Sequence, residues 1–169
     1  MLWKVKLMRK LIPALLIAAL WLAPFGGAAL SHPAGVGQRA VYKTYTNARY
    51  GYSISYPSNL LVPQGEADNG DGQAFRSKDG GAELRVYGSQ NLGDGLAGAY
   101  KEAQAGKSVT YKTMKGNWFV VSGRDGGKIF YQKTMFKGDV FKTFIIEYDE
   151  SQKSTYDAVT TRIARSFAG

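Results

Sequence analysis

The sequence has no cysteine and a single histidine. Without cysteine there is no disulfide, no thiolate nucleophile and no zinc–sulfur site, so the fold must rest on packing alone. The histidine, His32, falls in a small-residue stretch near the start of the chain. A Ser–His or Cys–His pair needs its base held within hydrogen-bond reach of the nucleophile, which a loose terminal stretch does not do. Also absent is an apolar run long enough to cross a bilayer. The longest, Leu11 to Leu22, is interrupted by Pro13 and falls short of the roughly 18–20 residues a spanning helix requires.

That run reads instead as part of a targeting segment. Lys4, Lys6, Arg9 and Lys10 precede it without an acid, and Pro24, Gly26, Gly27, Ala28 and Ala29 follow it. This is the layout of a secretory signal peptide cleaved after Ala28 or Ala29. The expected organisation is a signal peptide over 1–29, a flexible leader over 30–39, and a single α+β domain over 40–169. No cysteine follows the apolar run, which excludes a lipid anchor, and no integral membrane anchor is expected after cleavage. The expected location is periplasmic or secreted. Removing residues 1–29 takes away those four basic residues and no acid, so the formal charge falls from +9 to +5. The remaining chain is the size of one ordinary domain with a core of its own.

What the chain does have is strand pattern. Tyr52, Ile54 and Tyr56 alternate with Ser53 and Ser55, the period of a half-buried strand, and Pro57 ends it. Val41 to Tyr45 alternates as well, and Asn47-Ala48-Arg49 turns it into the first strand as a hairpin. Residues 57–72 read as a loop punctuated by Pro57, Pro63, Gly65, Gly70 and Gly72, with Leu60, Leu61 and Val62 as an apolar anchor. Strands over 73–78 and 82–89 flank Asp79-Gly80-Gly81, a hairpin signal because glycine reaches the positive φ of a tight turn. Leu84 and Val86 face one way there, and Glu83, Arg85 and Tyr87 the other.

Leu96, Ala99, Tyr100 and Ala103 recur at helical spacing, with Asp94 as N-cap and Gly106 as stop. Runs over 108–114, 118–122, 129–136 and 140–148 come next, separated by short glycine-containing turns, and predict an antiparallel meander. Val109, Tyr111, Phe119, Val121, Val140, Phe144 and Ile146 suit its buried face. Tyr156, Val159, Ile163 and Phe167 then mark one stripe of an amphipathic helix, with Ser151 or Ser154 capping it. The predicted fold class is α+β: an antiparallel β-sheet of about six to eight strands with a mid-chain helix and a C-terminal helix packed on it.

Candidate sites are sparse. Glu66, Asp68 and Asp71 cluster in the 57–72 loop and are the weak candidates for a divalent cation such as calcium. No register of that loop satisfies an EF-hand, which needs oxygen ligands at positions 1, 3 and 5 and glycine at 6. Starting at Asp68 puts Gly70 and Gly72 at ligand positions. Glu147, Asp149 and Glu150 form a second acidic group with the look of a solvated turn. Gly123-Arg124-Asp125-Gly126-Gly127 lacks the lysine–threonine pair and following helix of a phosphate loop and reads as a hairpin turn. No catalytic or cofactor-binding residue is assigned. Lysines and arginines spread over the meander, interleaved with Tyr111, Trp118 and Tyr131, suit contact with an anionic surface, although lysines at strand edges also guard a sheet against pairing.

Tyr50-Gly51-Tyr52-Ser53-Ile54-Ser55-Tyr56-Pro57, the mid-chain helix before a meander and the closing Ile163-Ala164-Arg165-Ser166-Phe167 together resemble the PsbP/Mog1-like superfamily. That resemblance implies its α+β fold and a role in binding or assembly rather than catalysis, as in extrinsic photosystem subunits, a nuclear GTPase partner, and secretion chaperones or immunity proteins. The expectation is therefore a secreted or periplasmic non-enzymatic accessory protein engaging a partner protein or cell-envelope component, and not nucleic acid. Two alternatives stand beside it. One is an immunity-type inhibitor of a toxic effector. The other is an envelope hydrolase or metal-binding protein using the loop carboxylates.

Overall fold

The structure, a computed structural model, describes residues 39–169. The predicted signal peptide, His32 and most of the leader lie outside the described residues. Nine strands and two α-helices succeed one another: β1 (Tyr42–Asn47), β2 (Tyr52–Pro57), β3 (Val62–Glu66), β4 (Gly72–Arg76), β5 (Ala82–Gln90), α1 (Gly95–Glu102), β6 (Ser108–Lys115), β7 (Trp118–Asp125), β8 (Lys128–Lys137), β9 (Val140–Asp149) and α2 (Lys153–Ser166).

The first two strands form a separate hairpin, in register from Tyr42 opposite Pro57 to Asn47 opposite Tyr52. Its turn closes because Asn47 Oδ1 accepts the Tyr50 N–H at 2.8 Å and Gly51, at φ 62°, donates its N–H to the Asn47 carbonyl at 3.0 Å. Tyr52, Ile54 and Tyr56 are buried, as their alternation predicts. The other seven strands form one antiparallel sheet in the order β3-β4-β5-β9-β8-β7-β6. Through α1 the chain crosses from β5 to the far edge, and the meander then returns strand by strand until β9 pairs with β5.

Both helix starts differ from expectation. Asp94 does occupy the N-cap position of α1, but its side chain makes no capping hydrogen bond. Neither Ser151 nor Ser154 caps α2; a 3₁₀ turn at Glu150–Gln152 leads in, and Gln152 holds the cap position without a side-chain bond. The 57–72 stretch is also more than a loop. Leu61 is fully buried, and Val62–Glu66 forms the outermost strand, with a register shift between Pro63 and Glu66. Proline is tolerated there because an edge strand leaves one side of its backbone unpaired.

The sheet buries residues on both faces, but in different places. Beneath the hairpin and α2, Leu84, Val86, Phe144, Ile146, Tyr156, Val159, Ile163 and Phe167 pack as one core. At full burial each such side chain stabilises the fold by about 1.5–3 kcal/mol. Aromatic pairs tighten it, Tyr56 against Phe75 with ring centroids 4.4 Å apart and Phe144 edge-on to Phe167 at 5.2 Å. Gly88 belongs to this side for a steric reason: a Cβ there would lie 2.2 Å from the Tyr50 ring. On the opposite face Phe119, Val121 and Phe130 pack under α1 with Ala103. The single buried face read from the sequence is thus two. Period-2 alternation distinguishes the sides of one strand but does not say which side its neighbours share. The register shift between Val109 and Tyr111 adds to this, because it turns Val109 toward α1 and leaves Tyr111 57% exposed.

Candidate functional site

Each half of the sheet is covered on one face only, so two faces remain uncovered. Behind β4, β5 and β9 the uncovered side carries a row of ion pairs. Arg76 Nε lies 2.6 Å from Glu83, Arg85 Nε 3.4 Å from Glu83, and Arg85 Nη2 2.8 Å from Glu147. Its charges are matched and wet.

The other uncovered side is different in kind. Between α2 and the β6 rim, above β7 and β8, runs a groove of about 870 Å³. Trp118 and Val120 from β7 and Ile129, Tyr131 and Met135 from β8 line it. Tyr111 and Thr113 form the outer rim, and Asp157, Thr160, Thr161 and Ala164 of α2 form the inner wall. Alternation places all these β8 residues on one side, and the one polar member of the series is Lys133.

Lys133 is half-buried among apolar neighbours. Its Nζ donates to the Ala164 carbonyl at 3.0 Å and stands 5.9 Å from the Phe167 ring centroid. No carboxylate lies within ion-pairing distance of it among the described residues. Burial holds its pKa below the ordinary lysine value, because desolvation disfavours the ammonium. One helical turn before Ala164, and so on the same strip of α2, Thr160 is 6% exposed. Its Oγ1 is buried against the Tyr148 hydroxyl, out of contact with solvent. The nearby Tyr148 hydroxyl is committed to Asp157 Oδ1 at 2.8 Å.

The rest of the inner wall is neutralised. Asp157 accepts from both Lys153 and Tyr148, and these bonds, that from Lys153 foremost, hold its carboxyl below the usual carboxylate range. Burial first, and then the Asp157 bond, raise the Tyr148 phenol above its ordinary value. Arg124 lies 2.5 Å from Glu150 at one rim, whereas Arg165 at another has no ion pair among the described residues. The groove is therefore apolar in its floor and cationic in its unmet charge.

The acidic residues singled out by sequence lie elsewhere. Glu66 Oε1 accepts from the Tyr45 hydroxyl at 2.6 Å and from Asn47 Nδ2 at 3.3 Å, which ties the edge strand to the hairpin. Asp71 accepts from Asn69 Nδ2 at 2.8 Å, its carbonyl takes the Tyr52 hydroxyl at 3.0 Å, and Asp68 is exposed. Among the described residues no group of three or more His, Cys, Asp or Glu side chains is placed to hold a metal ion. Glu147, Asp149 and Glu150 pair separately with Arg85, Lys128 and Arg124 rather than sharing a cleft. Gly126 and Gly127, at φ 54° and 82°, turn β7 into β8 in the hairpin that the sequence predicts. No described helix is long and apolar enough to cross a membrane.

Tyr111, Trp118 and Tyr131, marked in the sequence as aromatics among the meander lysines, do converge here. Lys133 is one of those meander lysines, whereas Thr160 was missed. For Lys133 a signal existed: it is the charged member of the alternating series Ile129, Tyr131, Lys133, Met135. Thr160 sits beside the Val159–Ile163 stripe and carries no comparable mark.

No family model matches the chain, and no curated protein matches it. Among solved structures it is similar to the solution structure of cyanobacterial PsbP (CyanoP) from Synechocystis sp., with a TM-score of 0.55 and 16% identity over 82% of this chain and 98% of that one. A crystal structure from Bacteroides thetaiotaomicron gives a TM-score of 0.48 and 11% identity over 75% of this chain and 48% of that one. The likeness to the cyanobacterial protein, together with the element order on which the sequence resemblance rests, identifies the domain as having the PsbP/Mog1-like α+β fold.

Proposed function

We propose that the protein is an exported, non-enzymatic binding protein that engages a partner protein or an envelope component through the groove between the meander and α2. The observation that carries this reading is the contrast between the two uncovered faces. One has its charges matched by partners of its own. The other lines a groove with the half-buried Trp118, Tyr131 and Met135 around a cation that the domain leaves without an acid. Concave apolar surface with a few convergent polar groups is the usual form of a binding site, and an unpaired buried charge is costly unless something else answers it. The absence of cysteine and the position of His32 argue against nucleophilic chemistry at the groove.

The test is affinity capture from an envelope extract of the native host with three baits: wild type, Thr113→Trp, which fills the groove mouth, and Arg85→Ala on the ion-paired face. A component held by wild type and Arg85→Ala but lost with Thr113→Trp supports the reading. Equal retention by all three baits contradicts it.

A further inference from the structure

The groove's chemistry narrows what it takes, and the inference rests on the binding role proposed above. We infer that the groove binds a single-chain amphipathic carboxylate, with the carboxylate at the Lys133 ammonium and the hydrocarbon chain along Trp118, Tyr131 and Met135. The cation at the inner wall points to an anionic head. Lys133 Nζ has one protein acceptor, the Ala164 carbonyl at 3.0 Å, and no carboxylate among the described residues. An ammonium has three donors, so those not used on Ala164 can give a carboxylate charge-assisted hydrogen bonds.

The floor selects a hydrocarbon tail. β7 and β8 are each paired on both sides, so their backbone groups are already used by the sheet. An extended polypeptide lying there would leave its own N–H and C=O groups without partners, at a cost for each one buried. A hydrocarbon chain has none to satisfy. The volume of about 870 Å³ falls within the roughly 300–1,000 Å³ typical of small-molecule sites.

Trp118 makes the proposal directly measurable. The other two tryptophans are Trp3 and Trp21, so the full chain carrying Trp3→Phe and Trp21→Phe reports the groove floor alone. Its emission is titrated with dodecanoate, dodecanol, dodecyltrimethylammonium and acetate, all below micelle formation. The expected result is a saturable change with dodecanoate, none with acetate, and binding roughly tenfold or more weaker for the neutral and cationic analogues. Lys133→Met should weaken dodecanoate roughly tenfold or more while leaving dodecanol unchanged or tighter. Lys133→Arg, which keeps the charge, should retain most of the affinity. Dodecanol binding as tightly as dodecanoate, or unchanged dodecanoate affinity in Lys133→Met, overturns the inference. So does the lack of any saturable response. If dodecanoate fails while Thr113→Trp still abolishes capture of an envelope component, this inference falls and the broader binding role stands. If Thr113→Trp captures as wild type does, both fall.

Discussion

The two uncovered faces of this sheet share one backbone scaffold and differ in what their side chains leave unfinished. On the β4–β5–β9 side, Arg76, Glu83, Arg85 and Glu147 answer one another in solvent. On the β7–β8 side, the alternating positions that would carry such a ladder hold Trp118, Val120, Ile129, Tyr131 and Met135 instead. The single cation among them, Lys133, finds only a helix carbonyl. A ladder of exposed pairs costs little and gains little. A half-buried aromatic floor beside a partly desolvated ammonium is a surface that a ligand would stabilise by covering it.

The contrast between the faces breaks first at its boundary with the core. Phe144 is fully buried beneath α2 and stacks on Tyr131 of the groove floor at 5.7 Å. Phe144→Ala should cost about 3–5 kcal/mol of unfolding free energy in a urea titration. Trp118→Ala, on the groove floor, should cost about half as much or less, because its side chain is only partly buried. Similar losses at the two positions would mean that the groove is ordinary core. Next in size is Gly88→Ala. Its new Cβ would meet the Tyr50 ring at 2.2–2.6 Å, and a loss of about 1–3 kcal/mol is expected from the same titration.

Lys133→Met separates stability from binding. The folded state holds the Lys133 ammonium below its ordinary pKa through burial. The charged form is therefore penalised in the fold. That penalty is fully present at pH below the folded pKa and disappears as pH rises past the ordinary lysine value of about 10.4. Wild type should therefore gain stability relative to Lys133→Met as pH rises through that window. At neutral pH Lys133→Met should melt about 1–3 °C higher by calorimetry, a small gain because the side chain is only half-buried. A lower melting temperature would show that Lys133 is a structural anchor rather than a residue held for a ligand.

The smallest effect is expected on the ion-paired face. Arg85→Ala should change stability by no more than about 0.5–1 kcal/mol, and the difference should shrink in high salt. A larger, salt-independent loss would make that ladder a structural element rather than a solvated surface.

Much of the fold was legible in the sequence because its patterns are local. The Tyr52–Tyr56 alternation, the Asp79-Gly80-Gly81 turn and the Tyr156–Phe167 stripe each specify one element, and each element is present. Less legible were features set by distant partners. Val62–Glu66 is a strand because β4 lies beside it, although proline and glycine mark it as loop. Phe119 and Phe144 look alike in sequence, yet the crossover through α1 puts them under different helices. The acidic residues Glu66, Asp68 and Asp71 drew notice by clustering in sequence, while the structure ties Glu66 to Tyr45 and Asn47 of the hairpin. The groove was half-visible, through its aromatics. Lys133, which gives it chemical direction, stands in the sequence as one of several meander lysines and is singled out only when α2 closes over β8.

Hydroxyl-radical footprinting of the full chain, free and after incubation with an envelope extract of its own host, tests the central claim most directly. Tyr111, Trp118 and Met135 face the groove, and Met114, 46% exposed, lies on the opposite side of β6 as an internal control. Loss of labelling at Tyr111, Trp118 and Met135 with Met114 unchanged is the expected result. Unchanged labelling at the three groove residues, or protection confined to Met114, would contradict it.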